Sequence, residues 1–194
     1  IPRPETEFLV EKVLSTVKSL GLSDAPLDLL DVGTGSGNIA VSLAVYLAQA
    51  RVCAVDVSEA ALAIARQNAE RNNAGGRIEF LISDFFRALP RNKLFDSIVA
   101  NPPYLSRKEM EALANEVRYE PSGALFGGER GTEAIARLVP GARDFLKPEG
   151  FLSIEIGWEQ GDEVRKIFEK AGYRDVEVHR DYCGRDRVVK GFKS

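Results

Sequence analysis

Apolar residues recur along the chain in two alternating rhythms. Phe8, Leu9, Val13, Leu14, Val17 and Leu20 fall three and four apart, which predicts a helix over 4–20. Pro4 suits its first position and Gly21 its stop. Short apolar runs at 27–32, 52–57, 78–82, 95–100 and 151–156 predict strands. Helical spacing separates them. It is seen over 38–50, from a Ser58 cap towards Asn73, over 132–145 and over 160–171. Pro140 is placed to kink or end the third of these. Ser106 and Glu109 have capping-box spacing, so another helix starts there. Residues 119–131 predict a Gly-rich loop. The runs 176–179 and 188–192 lie too close for a crossover helix, which predicts an antiparallel pair. Strand–helix alternation of this kind predicts an α/β domain with a mainly parallel sheet.

Composition narrows the class. The chain has 194 residues, 44% hydrophobic and 28% charged, which fits one domain spanning 1–194 with ample core. No repeat, linker or low-complexity tract divides it. A net charge of −3 disfavours broad binding to a phosphate backbone. The two cysteines, Cys53 in an apolar run and Cys183 in a polar one, offer neither zinc spacing nor a disulfide framework. With no signal peptide and no apolar run of membrane-spanning length, a reducing cytoplasm is expected. The chain opens at Ile1 and its one methionine is Met110, so it reads as a piece of something longer.

The first candidate chemistry lies in LDLLDVGTGSG at 27–37. Gly33, Gly35 and Gly37 remove side chains where a backbone must approach a ligand, with Thr34 and Ser36 between them. Asp31 precedes the turn. Asp56 ends the next strand, roughly 20 residues or more onward, where a ribose-binding carboxylate is expected. A dinucleotide fingerprint needs glycine where Asn38 stands, and Asp31 would repel a pyrophosphate. An acid there suits a cationic ligand such as S-adenosylmethionine. The plain alternative is a tight turn with solvated acids. Asp84 and Phe85 follow the third strand at the same sheet edge, placed to bond an adenine amino group and pack on its ring. Alone they would read as a helix cap and a core phenylalanine.

The second candidate is Asn101-Pro102-Pro103-Tyr104, which ends the fourth strand. Methyl transfer to a planar NH2 group requires both N–H bonds to be held. The Asn101 side-chain oxygen can accept one and the Pro102 carbonyl the other. Neither proline offers a competing N–H, and their fixed φ holds the carbonyl still. Tyr104 supplies a flat wall for the acceptor or the cationic donor. Positioning then supplies most of the catalysis. Asn101, Pro102 and Tyr104 are the expected catalytic residues.

With these motifs in view, the chain closely resembles the release factor glutamine methyltransferases (the HemK family). The resemblance rests on IPRPETE (1–7), DVGTGSG (31–37), Asp56, SDFF (83–86), NPPY (101–104), EPSGALFGGERG (120–131), EIG (155–157) and DRVVKG (186–191). It implies a Rossmann-like class I methyltransferase with a seven-stranded, mostly parallel sheet and a final antiparallel strand. It implies transfer of a methyl group from S-adenosylmethionine to the side-chain amide of the glutamine in the Gly-Gly-Gln loop of class I peptide chain release factors, leaving S-adenosylhomocysteine. The cofactor site would use 33–37, Asp56, Phe85 and Asn101, and the substrate site Asn101, Pro102, Pro103 and Tyr104. Many relatives have tryptophan where this chain has Phe85. The resemblance also implies an N-terminal helical domain, which is expected to be absent from 1–194. A monomer without membrane or direct nucleic-acid binding is expected.

NPPY also occurs in adenine methyltransferases acting on DNA or RNA, which would want a basic groove. A non-catalytic cofactor-binding scaffold would lose the acceptor-holding motif. The remaining residues invite plainer readings. Arg3, Glu5 and Glu7 form a charged, solvated helix start, which the resemblance places near the site's lip, and Glu120 and Pro121 are expected to shape the loop over it. His179 is a surface histidine and Trp158 a packing residue. Arg185, Asp186 and Arg187 form a turn ion cluster.

Overall fold

The computed structural model describes residues 4–112 and 125–194. The expectations for Glu120 and Pro121, and for Arg3, lie outside the described residues. The first helix, α1, runs Pro4–Ser19, and β1 runs Asp28–Val32. Then come α2 (Asn38–Tyr46), β2 (Arg51–Asp56), α3 (Glu59–Arg71), β3 (Ile78–Ile82) and β4 (Phe95–Ala100). A two-residue strand β5 (Leu105–Ser106) leads into α4 (Arg107–Ala112). After the undescribed segment come β6 (Phe126–Gly128), α5 (Glu133–Phe145), β7 (Leu146–Glu155), α6 (Gly161–Lys170), β8 (Tyr173–Arg180) and β9 (Asp186–Lys193).

Seven strands form one sheet in the order β3-β2-β1-β4-β7-β9-β8. β1 pairs in parallel with β2 and β4, and β4 with β7. The last strand, β9, is antiparallel to both β7 and β8. This is the expected class I methyltransferase architecture, with the reversal falling between β1 and β4, where such sheets open a crevice at their carboxyl ends.

Both faces of the sheet are covered, which explains the unbroken apolar runs. Side chains alternate between two cores. Leu29, Val52, Ala54, Val99, Phe151 and Val188 pack with α1 and α2. Leu30, Val32, Val55, Ile98, Leu152 and Val189 pack with α5 and α6 on the other face. At the amino edge, the Lys147 ammonium bonds Asp28 at 2.9 Å and Asp96 at 2.8 Å, tying the starts of β1, β4 and β7. Among the described residues no helix is long and apolar enough to cross a membrane.

Local expectations hold where short-range chemistry decides. The Ser58 hydroxyl caps α3 by accepting from the Ala61 N–H at 3.2 Å. The Ser106–Glu109 box opens α4, with the Ser106 N–H donating to the Glu109 carboxylate at 2.8 Å and the Glu109 N–H to the Ser106 hydroxyl at 3.3 Å. Other expectations shift, and β8 and β9 run a few residues beyond the expected 176–179 and 188–192. α2 ends at Tyr46 rather than at residue 50. Pro140 sits inside α5 without ending it. β7 begins at Leu146, because Leu146 pairs with Phe95 and a register irregularity absorbs the Lys147–Gly150 stretch that reads as a breaker. The expected Gly-rich loop contains β6, which pairs in parallel with β5.

Ile98 is fully buried at the centre of β4. Ile98→Ala is expected to lower unfolding free energy by about 2–5 kcal/mol. Ile64→Ala, at an exposed position of α3, is expected to change it by no more than about 0.5 kcal/mol. Urea unfolding of the two variants checks the contrast.

Candidate active site

The carboxyl ends of β1, β2, β4 and β7 carry the residues of interest onto one edge. The turn after β1 is fixed first. The N–H groups of Gly33 and Thr34 both donate to the Val55 carbonyl, at 2.9 and 3.0 Å, so the turn is bolted to the end of β2. Gly33, Gly35 and Gly37 have φ of 71°, 55° and 84°, the left-handed region where a Cβ is unfavourable. A Cβ on Gly37 would meet the Ala65 Cβ at 2.9 Å, so α3 packs directly on the turn. A Cβ on Gly33 or Gly35 would meet nothing within 4 Å. Those two positions therefore face open space at the edge, a bare-backbone cradle. The Ser36 carbonyl accepts from the Asn68 side chain at 2.9 Å, which ties the turn to α3 a second time.

Two acids support this turn in different ways. Asp31 is fully buried. One of its oxygens accepts from the Thr34 hydroxyl at 2.6 Å and the Ala40 N–H at 3.0 Å, while the other, Oδ1, has no hydrogen-bond partner. Burial pushes its carboxyl up to about 7, against the pull of those two bonds and with help from the nearby Asp56 charge. Asp31 thus holds the turn from beneath, with one acceptor left over. Asp56 stands at the edge itself. Its two oxygens accept from the Gly35 N–H at 2.8 Å and the Ser58 N–H at 2.9 Å. Each carboxylate oxygen has a second lone pair, so both remain able to accept from a diol.

Asp84 and Phe85 follow β3 in a turn rather than a helix. Phe85 has φ 49°. That conformation costs about 1–3 kcal/mol for a residue with a side chain and persists where surrounding contacts enforce it. The Ser83 hydroxyl donates to the Phe85 carbonyl at 2.8 Å. The Arg137 guanidinium lies 5.0 Å from the Phe85 ring centroid and 3.1 Å from the Asp84 carboxylate. Arg137, on α5, is a site-edge residue that the sequence pattern gave no reason to single out.

Asn101 leaves the end of β4 half-buried, Pro102 is buried, and Pro103 and Tyr104 are half-buried. Tyr104 packs against the core between the sheet and α5–α6. A Gly-rich segment presses on this backbone. A Cβ on Gly127 would lie 2.5 Å from the Pro103 carbonyl oxygen and 2.8 Å from the Tyr104 Cα, so only glycine permits the contact. The Gln160 side chain donates to the Tyr104 carbonyl at 2.9 Å and accepts from the Gly157 N–H at 2.9 Å. This bridge holds the Asn-Pro-Pro-Tyr segment against the end of β7.

One further side chain reaches Asn101, and a second lies behind it. The Asn101 Nδ2 donates to the Thr6 hydroxyl at 3.3 Å, and that hydroxyl donates to the Glu155 carboxylate at 3.1 Å. Thr6 comes from the first turn of α1 and Glu155 from the last residue of β7. Both lie inside quoted motifs, yet nothing in their local pattern marks them as partners. Trp158 corrects another expectation. It is 53% exposed rather than packed, with the Arg185 guanidinium 5.8 Å from its ring centroid. His179 is half-buried in β8 beside Glu177, at 3.2 Å, and takes no part in this edge.

Comparisons with known proteins identify relatives of the whole chain. Residues 6–120 match the family described as Methyltransferase small domain. The release factor glutamine methyltransferase of Bordetella pertussis is 43% identical over 99% of this chain and 69% of its own length. That of Moorella thermoacetica is 43% identical over 100% of this chain and 67% of its own. Among solved structures, the Thermus thermophilus 16S rRNA N2 G1207 methyltransferase, in complex with AdoMet and guanosine, superposes with TM-score 0.72. It is 20% identical and covers 100% of this chain and 44% of its own, a likeness of fold.

The Asp31 carboxyl generates a pH prediction. Its folded pKa, about 7, lies above the ordinary 3.8. The native state therefore keeps a proton that the unfolded chain has lost. The resulting stabilisation is full below the ordinary value and disappears as pH rises through about 7. Asp31→Asn removes this titration. Relative to the parent, the variant is expected to gain stability progressively as pH rises from about 4 to about 7, by up to a few kcal/mol, and to gain no more above that. Urea unfolding across that range measures it, and parallel curves would contradict the assignment.

Proposed function

The chain belongs to the release factor glutamine methyltransferase family, and on that premise we propose that it methylates the side-chain amide nitrogen of the glutamine in the Gly-Gly-Gln loop of class I peptide chain release factors, using S-adenosylmethionine. The observation that carries the reading is the setting of Asn101. It stands at the end of β4, beside a bare-backbone turn, with its amide nitrogen engaged by Thr6.

The residues fit the cofactor. Gly33 and Gly35 leave the space that side chains would fill. Asp31 keeps a buried oxygen without a partner, which favours a nearby cation. Asp56 keeps acceptor capacity for ribose hydroxyls. Asp84 and Phe85 serve the adenine amino group and ring, and Thr34 and Ser36 complete the cradle with Gly37. When bound, S-adenosylmethionine supplies an electrophilic methyl group on a sulfonium centre.

The protein's own part is to hold the acceptor. A glutamine amide nitrogen carries two N–H bonds and a lone pair delocalised into its carbonyl. The Asn101 Oδ1 accepts one N–H and the Pro102 carbonyl the other. Pro103 stiffens the backbone that places that carbonyl, and Gly127 allows the neighbouring segment to press on it. Tyr104, backed by the core, forms the flat wall. Alignment of the nitrogen toward the methyl carbon lowers the barrier by orientation rather than by a strong base. The proton leaves readily once the nitrogen is alkylated. The reading places the reaction in the cytoplasm.

Incubation with labelled S-adenosylmethionine, a release factor and an adenine-containing oligonucleotide tests the proposal. Label is expected on the release factor and lost when its loop glutamine is replaced. Label on the oligonucleotide alone would overturn the reading in favour of an adenine acceptor. Asn101→Ala is expected to leave cofactor binding measurable and to lower turnover by about 100-fold or more. Unchanged turnover would remove Asn101 from its role.

A further inference from the structure

An asparagine can serve as an acceptor toward substrate only if its carboxamide is held one way round. Rotation by half a turn exchanges oxygen and nitrogen at almost no steric cost. At the end of β4 the choice is made by neighbours. Glu155 is 1% exposed at the end of β7, and Thr6 is buried in the first turn of α1. A carboxylate accepts and does not donate. The Thr6 hydroxyl hydrogen is therefore committed to Glu155, at 3.1 Å. What Thr6 then offers Asn101 is a lone pair, which only the Nδ2 end can use, at 3.3 Å. The Oδ1 end is left to accept from elsewhere.

We propose that Thr6 and Glu155 are positioning residues that fix the sense of the Asn101 carboxamide, with Thr6 relaying the acceptor character of Glu155 across from β7 to β4. The inference rests on the acceptor-holding role given to Asn101 above. Burying a carboxylate is costly unless it is paired or hydrogen-bonded, and Glu155 is held at the end of β7 by its partners, the Thr6 hydroxyl among them. The polar row Glu155, Thr6, Asn101 spans three elements at the one edge where orientation of an amide matters. It also gives α1 a function beyond covering the sheet, since its first turn carries the relay.

Three variants separate orientation from packing. Thr6→Val keeps shape and removes the relay. Glu155→Gln turns the partner into a donor as well, which frees the Thr6 hydroxyl to donate and favours the reversed Asn101 amide. Thr6→Ser restores the hydroxyl without the methyl group. The expected result is a fall in kcat of roughly 10- to 100-fold for Thr6→Val and for Glu155→Gln. KM for S-adenosylmethionine is expected to stay within about twofold, and Thr6→Ser to recover kcat to within about threefold of the parent. A second readout is independent of turnover. The Asn101 side-chain NH2 signals in 15N–1H spectra, assigned by their loss in Asn101→Ala, are expected to move in Thr6→Val and return in Thr6→Ser. Unmoved signals, or a Thr6→Val enzyme with parental kcat, would overturn the relay. If the parent transfers no methyl group to a release factor, the proposed function fails, and the NH2 signals alone decide the relay.

Discussion

Parallel register at the centre of the sheet is the constraint on which the rest depends. Val32 pairs with Val55 and Ala100, and Ala100 with Ile154. Four strands thus end nearly level. Whatever follows each of them emerges at one edge: the glycine turn after β1, Asp56 on β2, Asn101 after β4 and Glu155 on β7. The register is held by burial on both faces, because a slip of one residue would send every side chain of a strand to the wrong core. The site is therefore positioned by the same packing that stabilises the domain.

The edge is then stiffened by bonds that cross between elements. The turn is bolted to the Val55 carbonyl and stacked on Ala65 of α3. The Asn-Pro-Pro-Tyr segment is pressed by Gly127 and bridged to β7 through Gln160. Asn101 is engaged by Thr6, which Glu155 engages in turn. A reaction governed by alignment needs such stiffness. The proposed acceptor, an amide nitrogen, is a poor nucleophile, and small displacements of its holder would remove most of the benefit of orientation.

Much of this was legible in the sequence because it is local. Apolar runs bounded by turn residues placed β3 and β4 at their observed limits, and the Ser106–Glu109 spacing gave a real capping box. Glycines flanked by acids marked the turn that is bolted to β2, and Asn-Pro-Pro-Tyr marked the segment leaving β4 that is proposed to hold the acceptor. What remained hidden is long-range or depends on context. Thr6 and Glu155 are separated by 149 positions, and no periodicity pairs them. Arg137 reaches Asp84 and Phe85 only because α5 packs beside the end of β3. The start of β7 contains Pro148 and Gly150, which locally argue against a strand, yet pairing of Leu146 with Phe95 overrides them. Trp158 looked like a core residue by type, and its exposure follows from its place just beyond the sheet edge.

The central claim is that the holder at Asn101 is built for a planar side-chain amide. Its most direct test is the chemical form of the transferred methyl group. Release factor labelled in the methyl group is hydrolysed in strong acid, and the labelled fragment is identified. Methylation at a glutamine side-chain nitrogen yields glutamate and labelled methylamine, because acid cleaves the amide bond and leaves the N–methyl bond intact. The account predicts recovery of the label as methylamine. Label retained in a methylated lysine, arginine or histidine, or released as methanol from a carboxyl ester, would contradict it.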